Sequence, residues 1–234
     1  MKIPREDAAR TRKSLLQAAG EIFAEKGYRD ATIMEICGRA GKNIAAVNYH
    51  FGNKETLYIE AWRRAFLESL KAHPPDGGVS DDAPPEERLR AHVAAIVRRM
   101  ADTNNREFWF VQREFANPTG LLDEVMREEI HPLQKKTEGL VRELLGFLVS
   151  DIEVQFCETS IISQCINPMV VRGKWKGKNA ARGGPPQIND LEAYADHVVK
   201  FSLAGIQAIR KNAEAKTSDA QRNEGTKRKS RGDK

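Results

Sequence analysis

An amide, a phenol and an imidazole follow one another along the chain as Asn48, Tyr49 and His50. Only Val47 and Phe51, on either side of them, could anchor this run in a hydrophobic core. A helix buried in a core would not use its positions in this way. Side chains of these three types either take part in catalysis or exchange hydrogen bonds with another molecule. The run is therefore a candidate functional site.

Catalysis has little support elsewhere in the sequence. The chain contains no GxSxG, P-loop or HExxH motif, and no GxGxxG placed between a strand and a helix. His50 and Glu55 could be drawn as an acid–base pair, but no nucleophile accompanies them. The histidines are scattered without the spacing of metal ligands: His50, His73, His92, His131 and His197. We expect no enzyme, no cofactor and no metal, and turnover of a ligand would revive the enzyme hypothesis.

The composition is that of a globular protein with a mildly basic balance. The chain has 234 residues, 40% hydrophobic and 30% charged, with a formal net charge of +5. This length allows one large or two small domains. The charge alone favours a polyanionic partner only weakly.

The cysteines and the hydropathy of the sequence indicate the cellular compartment in which the protein is found. Cys37, Cys157 and Cys165 form neither a CxxC pair nor a cluster with zinc-site spacing, so we expect three buried, reduced thiols in a cytoplasmic protein. The sequence has no apolar run of about 18 residues, so we expect no membrane span. The N-terminal segment is charged and lacks the apolar core of a secretory signal.

Helical periodicity dominates the first half of the chain. A helix over 8–26 is predicted to end at Gly27 in a left-handed C-cap. Thr32 and Glu35 form a capping box that opens a second, short helix. Gly41–Lys42 interrupts that helix.

Asparagines begin the next two predicted helices. Asn43 is a suitable N-cap for a third helix over 44–50, and Gly52–Asn53 ends it and caps a fourth over 54–72. The segment 73–85, rich in proline and glycine, is the clearest break in composition.

The remainder also reads as helical, with no strand-like alternation. We predict helices over 86–102, 104–116, 119–147, 151–171 and 189–212. The basic, glycine-rich stretch 172–190 is predicted to be a long loop, and the polar segment from 214 on is predicted to be disordered. The fold class is all-α.

Two short helices joined by a glycine-containing turn, behind a longer supporting helix, form the helix-turn-helix pattern. On the third helix the predicted core-facing positions are Ile44, Val47 and Phe51. The predicted outward positions are Ala45, Ala46, Asn48 and Tyr49. The alanines permit close approach and can meet thymine methyl groups, and an asparagine can bind adenine through two hydrogen bonds. The pattern indicates a helix that lies in the major groove of DNA.

Polar groups close to the third predicted helix could bind the phosphate groups of DNA. Thr32 lies at a helix N-terminus, where amides and the dipole favour an anion. Tyr49 and His50 can donate to phosphate oxygens, and Lys54 begins the next helix beside the same surface. Asn43, at the start of the third helix, completes the set of DNA-binding candidates. Contacts to phosphate position a protein but carry no sequence information.

About the first sixty residues resemble the DNA-binding domain of TetR-family (tetracycline-repressor-like) transcriptional regulators. The resemblance lies in Lys26–Tyr28, Thr32, Ala40–Gly41, Asn48–Phe51 and Lys54–Tyr58. One departure is Asn48, because the family usually has an aromatic residue at this position. The Asn-Ile-Ala-Ala start of the third helix is also similar to a subgroup linked to the control of efflux and drug-tolerance genes.

The resemblance implies a domain organisation. Residues 1–53 would form the DNA-binding domain, 54–213 a helical domain for ligand binding and dimerisation, and 214–234 a disordered basic tail. It implies a homodimer built from the last two long helices of each subunit, in a bacterial, cytoplasmic, nucleoid-associated protein. Two copies would read half-sites about 34–36 Å apart, so the operator should be a pseudo-palindrome.

The segment 106–120 is the most aromatic in the chain and is the candidate ligand pocket. The candidate ligand-binding residues are Phe108, Trp109, Gln112, Arg113, Phe115, Met126, His131 and Gln164. Their aromatic members could equally belong to the hydrophobic core, and His131 could mark a kink before Pro132.

These patterns predict a repressor that a small organic ligand releases from double-stranded DNA. Two alternatives remain open at this stage. The protein could bind DNA without a small-molecule ligand, under the control of a protein partner, or it could activate transcription. The basic residues near the C-terminus could add non-specific attraction to DNA or could simply be a solvated end.

Overall fold

A computed structural model describes residues 5–174 and 188–232 of the chain. Within them every regular element is an α-helix, so the predicted all-α fold is confirmed. The helices are α1 (Arg5–Asp30), α2 (Ile33–Ala40), α3 (Ile44–Phe51), α4 (Lys54–Ala72), α5 (Pro85–Ala101), α6 (Arg106–Ala116), α7 (Asp123–Leu145), α8 (Asp151–Lys174) and α9 (Leu191–Gly232). Most of the loop predicted over 172–190 lies outside the described residues.

Helix α1 is interrupted at the glycine that was predicted to end it. Gly27 has φ 79° and ψ 178°, and a further helical segment runs on to Asp30. A positive φ costs glycine little, because it has no Cβ to clash with the backbone. The break redirects the chain towards Thr32, where α2 is capped.

The predicted caps of the short helices are present. The amide of Glu35 donates to Thr32 Oγ1 over 3.2 Å, and the amide of Thr32 donates to Glu35 Oε2 over 3.0 Å. Gly41 closes α2 in the left-handed conformation, with φ 63° and ψ 37°. Asn43 and Asn53 accept the amides of the third residues of α3 and α4. These caps satisfy amides that a helix leaves unbonded at its start.

The chain divides into two compact units. The first contains residues up to Pro74 together with Arg98–Pro132, and the second contains Pro75–Val97 together with the residues from Leu133 on. The predicted division at 53/54 differs from this arrangement, since α4 and α6 both belong to the unit that carries the helix-turn-helix.

Aromatic packing explains why α4 and α6 belong to the first unit. The Phe23 ring of α1 meets the Tyr58 ring of α4 edge-on, with centroids 4.8 Å apart. Phe110 of α6 lies 5.4 Å from Tyr58 and 6.1 Å from Phe23. All three side chains are buried. Burying a large aromatic contributes several kcal/mol, so these rings fix three helices to one another.

The second unit has an aliphatic core. Its buried residues come from α5, α7, α8, α9 and the segment between α7 and α8: Leu89, Val93, Val97, Val141, Leu144, Leu145, Val149, Val154, Cys157, Ile161, Cys165, Ala195, Val198, Val199 and Ile206. All three cysteines of the chain are free and buried, as predicted, and burial raises the pKa of Cys165 to about 12.

The last helix is longer than the sequence predicts. The backbone of α9 is helical as far as Gly232, whereas the pattern predicts a helix that ends near 212 and disorder after it. The basic residues of the predicted tail are Lys227, Arg228, Lys229, Arg231 and Lys234, and the structure does not describe their side chains. Among the helices that the structure describes, none is long and apolar enough to cross a membrane.

Candidate nucleic-acid interface

Helix α3 is held from beneath by two large side chains. Val47 and Phe51 are buried, as predicted from their spacing. The guanidinium of Arg12 on α1 lies over the Phe51 ring, 5.2 Å from its centroid, and pairs with Glu60 of α4. The amide of Ala46 donates to Asn43 Oδ1 over 3.0 Å and fixes the start of the helix. These contacts join α3 to α1 and cap its first turn.

The opposite side of α3 is open to solvent. Ala45, Asn48 and Tyr49 are exposed, Ala46 and His50 are half-buried, and Tyr49 is 74% exposed. The Tyr49 and His50 rings meet edge-on at 4.9 Å. A short helix with two small residues, an amide and a phenol on its free side has the shape and the hydrogen-bonding groups to enter a major groove.

Ile44 does not occupy the core position that its spacing predicts. Its side chain is 51% exposed. Ile44 is the first residue of α3, directly after the α2–α3 turn, so its position precedes the part of the helix that Val47 and Phe51 hold. Met34 of α2 is also exposed. The interface therefore carries apolar side chains that can contact sugars and thymine methyl groups.

A carboxylate already occupies the N-terminus of α2, where a phosphate was predicted to bind. Glu35 accepts from the amide and the hydroxyl of Thr32, both over 3.0 Å, and pairs with Lys26. The Lys26 ammonium and the two Thr32 donors together lower the pKa of Glu35 to about 2. A phosphate at Thr32 has to share these donors with Glu35.

Lys54 lies beside an aromatic ring. Its ammonium is 4.4 Å from the centroid of the Tyr28 ring, which is a cation–π distance. Burial lowers the pKa of Lys54, while the carboxylates of Asp30 and Glu35 act in the opposite direction. The side chain is half-buried. It remains a phosphate-binding candidate, and Tyr28 restricts where its charge can go.

Two further basic residues belong to this surface and were missed from the sequence. Lys42 is exposed between Gly41, which ends α2, and Asn43, which begins α3. Its place directly before the N-cap of the exposed helix is the signal that could have identified it. Arg12 was missed because its contact with Phe51 joins positions far apart in sequence.

The predicted ligand-binding residues differ in burial and divide between the two units. Phe108 is buried, Trp109, Gln112 and Met126 are half-buried, and Arg113, Phe115 and His131 are exposed. These seven belong to the first unit, and Gln164 belongs to the second.

Several members of this set already have protein partners. Arg113 donates to the carbonyl oxygen of Glu25 over 2.5 Å, and Gln164 donates to that of Ser160 over 3.1 Å. The rings of Phe108 and Trp109 are 5.4 Å apart. The described residues contain no cluster of side chains suited to a metal ion.

Two family profiles match the chain. Residues 15–61 match the family described as bacterial regulatory proteins, tetR family. Residues 85–206 match the family described as the C-terminal domain of the HTH-type transcriptional dual regulator CecR. The second match alone covers more than half of the 234 residues.

Individual proteins agree with the profiles. The chain is similar to the HTH-type transcriptional dual regulator CecR of Shigella flexneri, with 29% identity over 166 residues; the match covers 66% of this chain and 74% of that protein. It is also similar to the HTH-type transcriptional repressor NicS of Pseudomonas putida, with 33% identity over 91 residues, 39% of this chain and 42% of NicS.

Solved structures share the fold. A TetR-like transcriptional regulator from Rhodococcus sp. RHA1 superposes with a TM-score of 0.62 at 15% identity, covering 88% of this chain and 99% of that one. The regulator FadR of Bacillus subtilis, solved in complex with stearoyl-CoA, gives 0.60 at 18% identity, covering 82% and 98%.

Proposed function

This chain belongs to the TetR family of DNA-binding transcriptional regulators, and we propose that it is a homodimeric repressor that a small organic ligand releases from a pseudo-palindromic operator. Regulators of this family bind DNA operators, act as dimers and respond to small ligands, and the relatives named above are regulators rather than enzymes. The exposed face of α3 carries the proposal, because Asn48 and Tyr49 stand free on a helix that Val47 and Phe51 anchor.

The residues of α3 have separate tasks in this proposal. Asn48 reads a base edge, Ala45 and Ala46 allow close approach, and Tyr49 and His50 bind phosphate oxygens. Lys54, Lys42, Asn43 and Thr32 surround the helix with further donors to the backbone of the duplex. The preference for one DNA sequence then depends on few residues, while the affinity for DNA depends on many.

Exposed aromatic residues in the second unit support the dimer. Phe156 and Ile152 on α8 and Phe201 on α9 are all more than half exposed. Their neighbours Val154, Ile161 and Val198 already fill the core of the unit. A monomer would leave these large apolar groups in water, and a two-fold arrangement of α8 and α9 with a second copy would cover them. Two copies would then present two α3 helices.

Ligand release is supported by the family and by the connection of α4. The N-terminus of α4 follows α3 directly, and its buried face packs on α1 and α6. A ligand that shifted α4 would therefore shift the helix that reads DNA. The solved relative FadR was captured with stearoyl-CoA, which shows that this fold can hold a small molecule. The narrower likeness to the efflux and drug-tolerance subgroup stays a prediction.

The proposal is tested first by selecting bound DNA from a random duplex library at a stated salt concentration. We expect a pseudo-palindrome with half-sites about 34–36 Å apart. The enriched duplex then serves as the probe in a screen for compounds that release it. An enriched site without two-fold symmetry would contradict the dimer, and an operator that no compound in a broad screen releases would favour a regulator controlled by a protein partner.

A further inference from the structure

Ile44 is a large apolar side chain on the exposed face of α3. It is the first residue of this helix and is 51% exposed, although its spacing from Val47 and Phe51 predicts a buried position. Helix propensity does not favour an isoleucine either, because its branched Cβ loses rotamer freedom in a helix. About half of the surface of this residue therefore stays open to another molecule.

Ile44 shares this face with polar side chains that are candidates for contact with DNA. Residues four positions apart lie on the same stripe of a helix, so Ile44 lies one turn before Asn48. Tyr49 follows Asn48, and Lys42 lies two residues before Ile44. All four residues are exposed. A duplex that lies along this face meets an apolar side chain together with an amide, a phenol and an ammonium group.

The base edges in the major groove differ in what they offer to an apolar side chain. Guanine presents two acceptors, cytosine a donor, and adenine one of each, whereas thymine presents an acceptor and a methyl group. The side chain of Ile44 has no hydrogen-bonding atom, so against the first three bases it would cover polar groups without satisfying them. Against thymine it can bury a methyl group. Ile44 is therefore suited to distinguish thymine from the other bases.

Helix geometry restricts where this thymine lies. Four residues of an α-helix span about 6 Å along its axis, and successive base pairs are about 3.4 Å apart. For a helix that follows the groove, the base that meets Ile44 is therefore within about two base pairs of the base that meets Asn48. Ala45 and Ala46 have small side chains, which do not hold α3 away from the base edges.

We propose that Ile44 is a specificity-determining residue that recognises thymine in the operator through the 5-methyl group of the base. The methyl group packs against the exposed part of the Ile44 side chain, and its removal from water favours thymine over the other three bases. The inference rests on the proposed binding of α3 in the major groove, and it adds the kind of base that this position selects.

The test replaces thymine by deoxyuridine, which lacks only the 5-methyl group. Each thymine in one half of the selected duplex is replaced singly, and dissociation constants are measured for full-length wild type and Ile44→Ala by fluorescence anisotropy at constant salt. For wild type we expect one of these replacements to raise the dissociation constant about fourfold, which corresponds to ~0.8 kcal/mol, as for one buried methyl group. For Ile44→Ala the same replacement should leave the dissociation constant about unchanged.

Two further variants are matched controls. Ile44→Val keeps a branched apolar side chain, so it should retain most of the preference for thymine. Leu67→Ala removes an apolar side chain of similar exposure, 53%, from α4 and should retain all of it. Circular dichroism checks folding. Alanine forms helices more readily than isoleucine, and Ile44 is half exposed, so we expect Ile44→Ala to fold as wild type does.

Three results would overturn the proposal. If wild type bound every deoxyuridine duplex as tightly as the unmodified one, no methyl group would be recognised. If the loss of affinity persisted undiminished in Ile44→Ala, it would come from another residue, such as Ala45, or from the shape of the duplex. If Leu67→Ala abolished the preference as well, the preference would not depend on the exposed face of α3.

Failure of this role is distinguishable from failure of the proposed function. A pseudo-palindromic duplex that a ligand releases, and that every variant binds without regard to methyl groups, leaves the repressor intact and refutes the role of Ile44. A methyl-dependent contact of Ile44 with a duplex that no compound releases leaves the role intact and counts against ligand release. A selection that enriches no duplex refutes sequence recognition by α3, and the role of Ile44 with it.

Discussion

The hydroxyl of Tyr58 on α4 donates a 3.0 Å hydrogen bond to Oε2 of Glu114 on α6. The other oxygen of Glu114 accepts from the amide and hydroxyl of Thr119, over 2.7 and 2.8 Å, and from the amide of Gly120, over 3.0 Å. Both Tyr58 and Glu114 are buried. One carboxylate thus ties α4, the helix that follows α3, to α6 and to the segment after α6.

Tyr58→Phe tests how much this link stabilises the fold. Removing the hydroxyl leaves one oxygen of a buried carboxylate with a donor fewer, so we expect the free energy of unfolding to fall by about 1–3 kcal/mol. Urea denaturation followed by circular dichroism measures it. The matched control is Tyr49→Phe, whose ring is exposed and which should leave stability within about 0.5 kcal/mol of wild type. Equal stability of all three proteins would show that the Tyr58–Glu114 bond contributes nothing net.

Tyr49→Phe should instead affect DNA binding. The phenolic hydroxyl of Tyr49 is free at the surface of α3, and a bond to a phosphate oxygen is equally available on every sequence. We expect the dissociation constant to rise about three- to tenfold on operator and on unrelated duplexes alike, as for the loss of one hydrogen bond. Fluorescence anisotropy at constant salt measures both. A loss confined to the operator would indicate that Tyr49 contacts a base.

The sequence predicts α2, α3 and α4 well because the signals that start and end these helices are local. The capping box at Thr32, the left-handed Gly41 and the asparagine N-caps each depend on residues within a few positions of one another. Helix α4 accordingly has the bounds predicted for it, Lys54–Ala72. Ile44 deviates because burial near a helix end depends on what lies beneath it and not on periodicity alone.

The sequence does not predict which segments far apart in the chain contact one another. Phe110, in the aromatic stretch of α6, packs with Phe23 and Tyr58 in the core of the first unit. The ligand-binding role of the other residues of this stretch stays a prediction. Periodicity identifies which side chains are inward, but not which helix they meet.

Glu35→Gln should change how stability depends on pH. The pKa of Glu35 is lowered from its ordinary value of 4.5 to about 2, so its ionised form stabilises the fold above pH 4.5. That contribution disappears as the pH falls towards about 2. Glutamine keeps a capping oxygen but loses the charge pair with Lys26. We therefore expect the variant to be less stable than wild type at pH 7 and the difference to close on acidification.

Urea denaturation at a series of pH values measures this difference. In a Lys26→Met background the pH-dependent part should become smaller, because the pair with Lys26 is the largest cause of the shift. If the difference in free energy of unfolding between wild type and Glu35→Gln stayed constant from pH 7 to pH 2, the charge of the carboxylate would not be its cause.

Lys54→Ala should reduce the salt dependence of DNA binding. If the ammonium neutralises one phosphate, its removal lowers the slope of log K against log salt by about 0.9. Lys71→Ala is the matched control, because Lys71 is an exposed lysine at the opposite end of the same helix. Operator binding at several salt concentrations measures the slopes. Equal slopes for wild type and Lys54→Ala would mean that the contact with the Tyr28 ring holds this charge away from the duplex.

Asn48→Ala should change which sequences the protein prefers. Asn48 is exposed on α3, and an asparagine that binds adenine through two hydrogen bonds discriminates by about 1–3 kcal/mol at one base pair. Repeating the duplex selection with the variant should therefore give the same half-site spacing with one position relaxed. Asn43→Ala serves as the comparison, since it removes the N-cap of α3 at a cost of about 1 kcal/mol in stability. That variant should weaken binding to all sequences by a similar factor, because a frayed α3 loses phosphate and base contacts together. If the selected sequences of Asn48→Ala matched those of wild type at every position, base reading would have to be assigned to Ala45, Ala46 or Lys42 instead.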